Sequence, residues 1–460
     1  LREQIDRGVT FSLNGTYGFA GKYVVNGVLN YESANTSGQR NGTLWLPTWN
    51  IGAKWNVDRE EFLRAYPTIS KLALRLSYGL TAKMNEAAVN ASAVYRNALT
   101  PRHRLADREN QLDIQHLENR DLTWEKMVEW NAGLELGLWD NRISATLDFY
   151  ARNSYDLIDL VATSGVGGQY YKYANFGDMR TQGVELGLHT INVKTSDFKW
   201  STSLTFSAMH QEVTRLLNAP TAFDMVAGRG RGNIVGFPRG SLFSFNYDGL
   251  DINGLPTFNF GRYPTNSGEY SHIAGADFSD TQYNKTYLRY HGPIEPQITG
   301  GLSNVFSWKQ WELSVFFTMQ AGNKIRLNPT FDPSFADLNV FSTRYRDRWL
   351  NPGDERRTNV PVLPSQENIE RAYNTYNYSQ EMVADGSFVR LKNVALAYRL
   401  SESVAKKFRF TSATMRLNVT NPLLIYADPR LHGQDPEYYR SGGVALPTPR
   451  QVTLSLSLGF

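Results

Sequence analysis

Between Thr123 and Arg152 the chain reads TWEKMVEWNAGLELGLWDNRISATLDFYAR, and its oily and polar residues alternate almost without a break. Val128, Trp130, Ala132, Leu134, Leu136 and Leu138 share one side; Glu129, Asn131, Gly133, Glu135 and Gly137 share the other. After Trp139-Asp140-Asn141 the alternation resumes, with Ile143, Ala145, Leu147, Phe149 and Ala151 against Ser144, Thr146, Asp148, Tyr150 and Arg152. A period of two marks strands, and an Asp-Asn turn between two such runs marks a β-hairpin. Each arm has about 10 residues, the length of a membrane-barrel strand rather than the roughly 5 or 6 of a soluble one. Taken alone, the hairpin fits a transmembrane barrel or a large soluble β-sandwich. Repetition along the chain decides between them.

The same rhythm predicts strands at 9–19, 22–32, 46–55, 71–80, 181–191, 198–210, 297–307, 311–320, 388–399, 413–421 and 452–460. Residues 58–66, DREEFLRAY, read as a short helix capped by Asp58. The connections are of two kinds. Those at 20–21, 139–141, 193–197 and 308–310 are short, whereas 81–123, 153–180, 211–296 and 321–386 are long and polar. Bacterial outer-membrane barrels sort their loops this way, with short periplasmic turns and long extracellular loops; a sandwich has no reason to. If all the short turns are periplasmic, strand direction is fixed, and 211–296 must hide either no strand or two. The segment SLFSFNYDGLDINGLPTFNF reads as a hairpin turning at Asn253-Gly254. The expectation is therefore about 13 clear strands, or about 15 if that hairpin joins the sheet. In the last strand Val452, Leu454, Leu456, Leu458 and Phe460 share a side, and the chain stops on the aromatic. A terminal strand of this form resembles the recognition signal of barrel-assembly machinery, which makes Phe460 the candidate assembly residue.

Composition narrows the classes further. Charged residues are 20% of the chain and net charge is +4, so no imbalance points to nucleic acid. No run approaches the roughly 18 apolar residues of a membrane helix, and mean hydropathy is −0.43. A barrel tolerates that value, because only alternate strand residues face lipid. Cysteine is absent, which excludes disulfides and thiolate metal sites. The 25 Tyr and 10 Trp supply amphipathic rings for interfacial girdles or for stacking on sugars. The sequence opens at Leu1 with neither initiator Met nor signal peptide, so it is expected to be a processed or truncated piece of an exported protein.

Residues 122–158, LTWEKMVEWNAGLELGLWDNRISATLDFYARNSYDLI, resemble SusC/RagA-like TonB-dependent outer-membrane transporters, which carry a TWEK…DxY…DLI pattern there. Further matches follow in the same order: NFGDMRTQGVEL, GFPRGSLFSFNYDGL, DRWLNPGDE, SFVRLKNVALAYRL, RLNVTNPLLIY, GQDPE and the closing Phe460. Two departures are Trp139, where Phe is usual, and GLTAKMN at 79–85. The resemblance implies an all-β fold: the later strands of a barrel of about 22. Residues 1–460 would then be the C-terminal part of the barrel, with plug, TonB box and first strands absent. It implies a multi-pass protein of the Gram-negative outer membrane, in contact with its lipid. It also implies active uptake of a large glycan or oligopeptide, with a SusD-like surface lipoprotein as lid and TonB as energiser, no cofactor and no nucleic acid. Alternatives are a passive pore or signalling receptor on the same barrel, or a secreted glycan-binding β-protein; the last would have to bury the apolar faces between two sheets.

No catalytic constellation is visible. None of the 7 His has a paired metal spacing, and no Cys nucleophile exists. GRGRG at 228–232 lacks the GK[ST] ending of a phosphate loop; Arg229 and Arg231 are candidate ligand contacts. Tyr170, Tyr171 and Tyr173 are candidates for stacking on a sugar or peptide, or else loop-packing aromatics. Glu135, Asp148, Arg152 and Glu185 are expected to line a wet interior or to meet the plug. The carboxylates of Asp435-Pro436-Glu437 suggest a site, but in a turn-rich loop they read as structural.

Overall fold

The computed structural model describes residues 8–34, 45–83, 94–99, 109–116, 119, 121–165, 171–217, 219–227, 232–258, 288–330, 343–363, 375–437, 439 and 449–460. They fall into two units, Leu1–Thr190 with Met209–Asn218, and Ile191–Ala208 with Ala219–Phe460. The first holds β1 (Gly8–Phe19), β2 (Tyr23–Ala34), β3 (Trp45–Asn56), β4 (Ile69–Lys83), β5 (Val94–Leu99), β6 (Asn110–His116), β7 (Glu125–Leu138) and β8 (Ile143–Ala162). It also holds most of β9 (Tyr171–Lys194) and the far end of β10 (Phe198–Leu216). The second unit continues with β11 (Ser241–Phe245), β12 (Tyr247–Leu250), β13 (Pro256–Phe258), β14 (Leu288–Pro293), β15 (Ile298–Trp308) and β16 (Trp311–Ala321). It ends with β17 (Lys324–Arg326), β18 (Val383–Asp385), β19 (Phe388–Arg399), β20 (Ser412–Tyr426) and β21 (Gln451–Gly459).

Among the described residues, thirteen strands form one sheet in the order β1-β2-β3-β4-β7-β8-β9-β10-β15-β16-β19-β20-β21, with neighbours antiparallel. Each of the thirteen strands expected from alternation has its place there. The remaining eight pair off as β5–β6, β11–β14, β12–β13 and β17–β18. The hairpin expected near Asn253-Gly254 therefore exists as β12–β13, but it pairs only with itself.

Register shows why the alternation matters. In the first unit Trp55, Leu74, Leu134, Leu147 and Leu186 form one cross-strand row. In the second, Trp200, Phe306, Leu313, Leu396, Leu417 and Leu454 form another. Among the described residues nothing covers these apolar sides: Leu76 is 58% exposed and Leu454 68%. A soluble monomer rarely leaves more than a few hundred Å² of contiguous apolar surface bare. An uncovered oily side running across a whole sheet is a lipid-facing surface. At the two ends of the order, β1 and β21 each have one partner.

Short turns are built for tightness. Trp139, Asp140 and Asn141 all take positive φ (50°, 57° and 60°), and Arg142 N–H closes onto the Trp139 carbonyl. At Ala20-Gly21 the turn is tied to the connection after β3, where Glu60 accepts from Lys22 (2.8 Å), Tyr23 (2.6 Å) and Trp55 (3.1 Å). Those three hydrogen bonds, Lys22 first, pull the Glu60 carboxyl down to about 2. Residues 57–63 are two 3-10 turns rather than the expected helix, and Asp58 caps nothing: its carboxylate accepts from Leu72 N–H instead.

The long connections also differ from expectation, beginning with 81–123, which holds the β5–β6 pair. Residues 153–180 are mostly strand, since β8 continues to Ala162 and β9 starts at Tyr171. Register shifts between Ser154 and Ile158, with Asp156 at φ 56°, break the period of two and hide these strands from a pattern search. β10 runs on to Leu216. In the second unit the loops fold together around an apolar core that includes Met225, Phe243, Phe245, Tyr247, Ile325, Tyr376 and Met382.

Candidate functional site

The polar side of the first unit is a ladder of ion pairs. Lys54, Arg75, Gly133, Asp148 and Glu185 occupy one cross-strand row. Glu135 receives Lys71 at 2.6 Å, Lys54 at 3.1 Å and Arg75 at 3.2 Å. Arg75 also reaches across β7 to Asp148, at 3.0 Å. That crossing needs Gly133. A Cβ there would stand 2.6 Å from the Asp148 carboxylate and 2.9 Å from the Arg75 guanidinium. Farther along the same strands Arg152 meets Glu129 at 2.6 Å and lies over the Tyr150 ring. Lys126 meets Asp156 at 2.9 Å, and Arg215 holds Asp178 at 2.6 Å. On this side, opposite charges placed one or two strands apart, as in Arg152–Glu129, Lys54–Glu135 and Arg75–Asp148, make a hydrophilic surface without a large net field, as suits one that lines water.

Tyr173 is half-buried against Leu122 and Ile158, and its carbonyl accepts from the Asn119 amide at 2.9 Å. Tyr171 belongs to β9, paired with Ala162. Tyr170, Arg229 and Arg231 lie outside the described residues. Phe460 is exposed, with its ring edge-on to Phe410 at 5.4 Å.

In the second unit Asp435 of the DPE segment forms a buried ion pair with Arg390 of β19, both side chains under 5% exposed. Glu437 sits 3.5 Å from Arg390 and 3.4 Å from Lys392. The carboxylates thus clamp a loop onto the sheet. A second group went unnoticed in the sequence. Ser244 and His291 share a hydrogen bond at 2.5 Å, close to Arg289, Lys324 and Arg326. Burial first, then the surrounding cations, push the His291 imidazole down to about 4. Its members come from two short sheets, separated by many residues and carrying no motif.

A lipid-facing apolar side, a paired polar side and sorted loops are the marks of an outer-membrane barrel, and the family model for the TonB dependent receptor-like β-barrel matches residues 3–421. The chain belongs to the TonB-dependent receptor β-barrel family. This TonB-dependent receptor barrel is 26% identical over 442 residues to TonB-dependent receptor P3 of Formosa agariphila, covering 92% of this chain and 41% of that protein. It is 25% identical over 462 residues to TonB-dependent receptor SusC of Bacteroides thetaiotaomicron, covering 96% and 43%. Among solved structures, the RagAB peptide transporter superposes with a TM-score of 0.76 at 24% identity, over 99% of this chain and 48% of that one. The chain resembles the SusC and RagA barrels in fold, and a barrel of this family belongs to the Gram-negative outer membrane. The chain spans less than half the length of the relatives it matches. Members of this family are transporters and receptors rather than enzymes.

Proposed function

We propose that this chain is the C-terminal barrel portion of an active importer for a large nutrient, a glycan or an oligopeptide. The substrate is captured outside under a SusD-like lipoprotein lid. A plug, contributed by another part of the transporter, is then displaced by TonB. The observation that carries this reading is the two-sided sheet: a bare apolar side spanning lipid, backed by a paired polar side that suits a wide aqueous passage. The name of the RagAB peptide transporter supports an oligopeptide as cargo, and the relation to SusC supports a SusD-like partner.

The test is uptake. Cells lacking the gene, complemented with the full-length transporter, are offered fluorescent oligopeptides and oligosaccharides with and without functional TonB. Import of one class that stops when TonB is inactivated is expected. Import that persists without TonB would make the barrel a passive pore. No import of either class, combined with altered transcription on ligand exposure, would make it a signalling receptor.

A further inference from the structure

Two short sheets in the second unit bring an unusual set of side chains together. Arg289 and His291 are two apart on β14, where a bulge leaves His291 out of the ladder with β11, and Lys324 and Arg326 are two apart on β17 and so leave one side of it. Ser244 lies opposite Arg289 and bonds His291, and the Lys324 stem runs beside Gly292. The charged groups that act on His291 are Arg289, Arg326, Lys324 and Arg430, all cations. Two of them are neutralised, Lys324 by Asp385 at 2.7 Å and Arg430 by Asp428 at 3.1 Å. The other two have neutral partners. Arg289 donates to the Gln380 amide oxygen at 3.0 Å, and Arg326 donates to the Phe243 carbonyl and faces the Tyr378 ring. Arg326 Nη1 has no accessible surface and no hydrogen-bond partner among the described residues.

A merely structural role accounts poorly for this choice. Holding one carbonyl needs one N–H, whereas a guanidinium brings five and a full charge whose desolvation is costly. Among the described residues, four cations against two carboxylates leave two positive charges in the neighbourhood of the His291–Ser244 pair. That donor set matches an oxyanion, which accepts from guanidinium forks and hydroxyls alike. We propose that Arg289, Arg326, Lys324, His291 and Ser244 form a binding site for an oxyanion, a carboxylate or sulfate group. The source is an acidic group on the imported nutrient, in keeping with the transport reading above, or a free inorganic ion. β11, β14, β17 and β18 all lie in the long connections after β10 and β16, the side on which that reading brings cargo in.

The experiment titrates the purified full-length transporter at low ionic strength with three probes by calorimetry: sodium sulfate, a glucuronate-containing disaccharide and its neutral glucose counterpart. Saturable binding of sulfate or the acidic sugar, and none of the neutral one, is expected. Arg289→Gln, at an exposed side chain that leaves folding intact, weakens it about tenfold or more, the scale of one lost charge-assisted hydrogen bond. Arg326→Met weakens it further wherever heat-modifiable gel migration shows the barrel folded. Tighter binding of the acidic sugar than of sulfate assigns the site to cargo; the reverse assigns it to the free ion. Absence of saturable binding to either anion, or wild-type affinity in Arg289→Gln, overturns the site. Failed nutrient uptake with sulfate still bound would sink the transport reading alone.

Discussion

Removing the Asp435 carboxylate should loosen one specific loop. Arg390 and Asp435 are among the most deeply buried charges described, at 4% and 3% side-chain exposure. Truncating one partner of such a pair leaves an unpaired charge in a poorly solvated place, which costs about 3 to 5 kcal/mol. Glu437 remains 3.5 Å from Arg390 and one-third exposed, so Asp435→Ala belongs near the lower end, at about 3 kcal/mol. The Asp435 side chain also accepts from Glu437 N–H, a local bond that disappears with it. At about 1.4 kcal/mol per tenfold, the loop's open population rises roughly 150-fold. Arg430 sits in the 3-10 turn Pro429–Leu431 just upstream, with its side chain half in solvent, and reports on opening. Limited trypsin digestion of outer-membrane vesicles, followed by sequencing of fragments that begin at Leu431, measures the rate. When opening is fast relative to cleavage, the rate tracks the open population. The double variant Arg390→Met with Asp435→Leu replaces both charges by apolar groups and should restore most of the protection. If Asp435→Ala changed cleavage less than about threefold, or the double variant were as labile as the single, the pair would not be the clamp.

Three further outcomes follow from the same structure. Leu134→Arg or Leu147→Arg, in the uncovered apolar row, should cost about 2 to 4 kcal/mol near the bilayer midplane, and Ser144→Arg little; barrel yield and heat-modifiable gel migration read this, and equal damage would refute the two-sided assignment. Gly133→Val should part Arg75 from Asp148 while leaving Arg75 on Glu135, losing about 1 kcal/mol from the pair plus the steric strain. A double-variant cycle with Asp148→Asn, read by denaturant unfolding, should show that coupling gone. His291, held near 4 when folded against 6.5 when not, takes up its proton more readily in the unfolded chain. Stability around β11 and β14 should be full above pH 6.5 and decline as pH falls toward 4, and His291→Gln should flatten hydrogen-exchange protection across that range.

The sheet was legible because lipid and water impose a period of two on every spanning strand. In β7 and β8 the rule runs unbroken from Val128 to Arg152, and the predicted hairpin is the observed one. Where another force sets the backbone, the pattern fails. At Asp156 a left-handed residue inserts an extra step, so that its own N–H meets Asp178 and its carboxylate meets Lys126. The oily residues after it, Leu157 and Ile158, no longer alternate, and a strand of 20 residues reads as one half as long. The helix expected at 58–66 fails for a related reason, since Asp58 and Glu60 are both engaged elsewhere, with Leu72 N–H and with the Lys22–Tyr23–Trp55 group.

Sites built from loops obey no period, and here the sequence says least. The GRGRG arginines stand out because they sit in one glycine-rich stretch of sequence. Arg289 and Arg326, 37 positions apart, join one group because β14 pairs with β11 and Arg326 of β17 donates to the Phe243 carbonyl of β11. Asp435 was visible as part of GQDPE, yet its partner Arg390 reads as one more polar residue of an alternating strand. Burial separates the two cases. Glu135 sits among three cations in a row open to water, where each pair is worth little and several share the charge. Asp435 has one close cation and almost no water, so its pairing decides whether a loop stays down. Both are carboxylates on the polar side of a strand or next to it, and only the depth at which the fold places them gives one a structural vote that the other lacks.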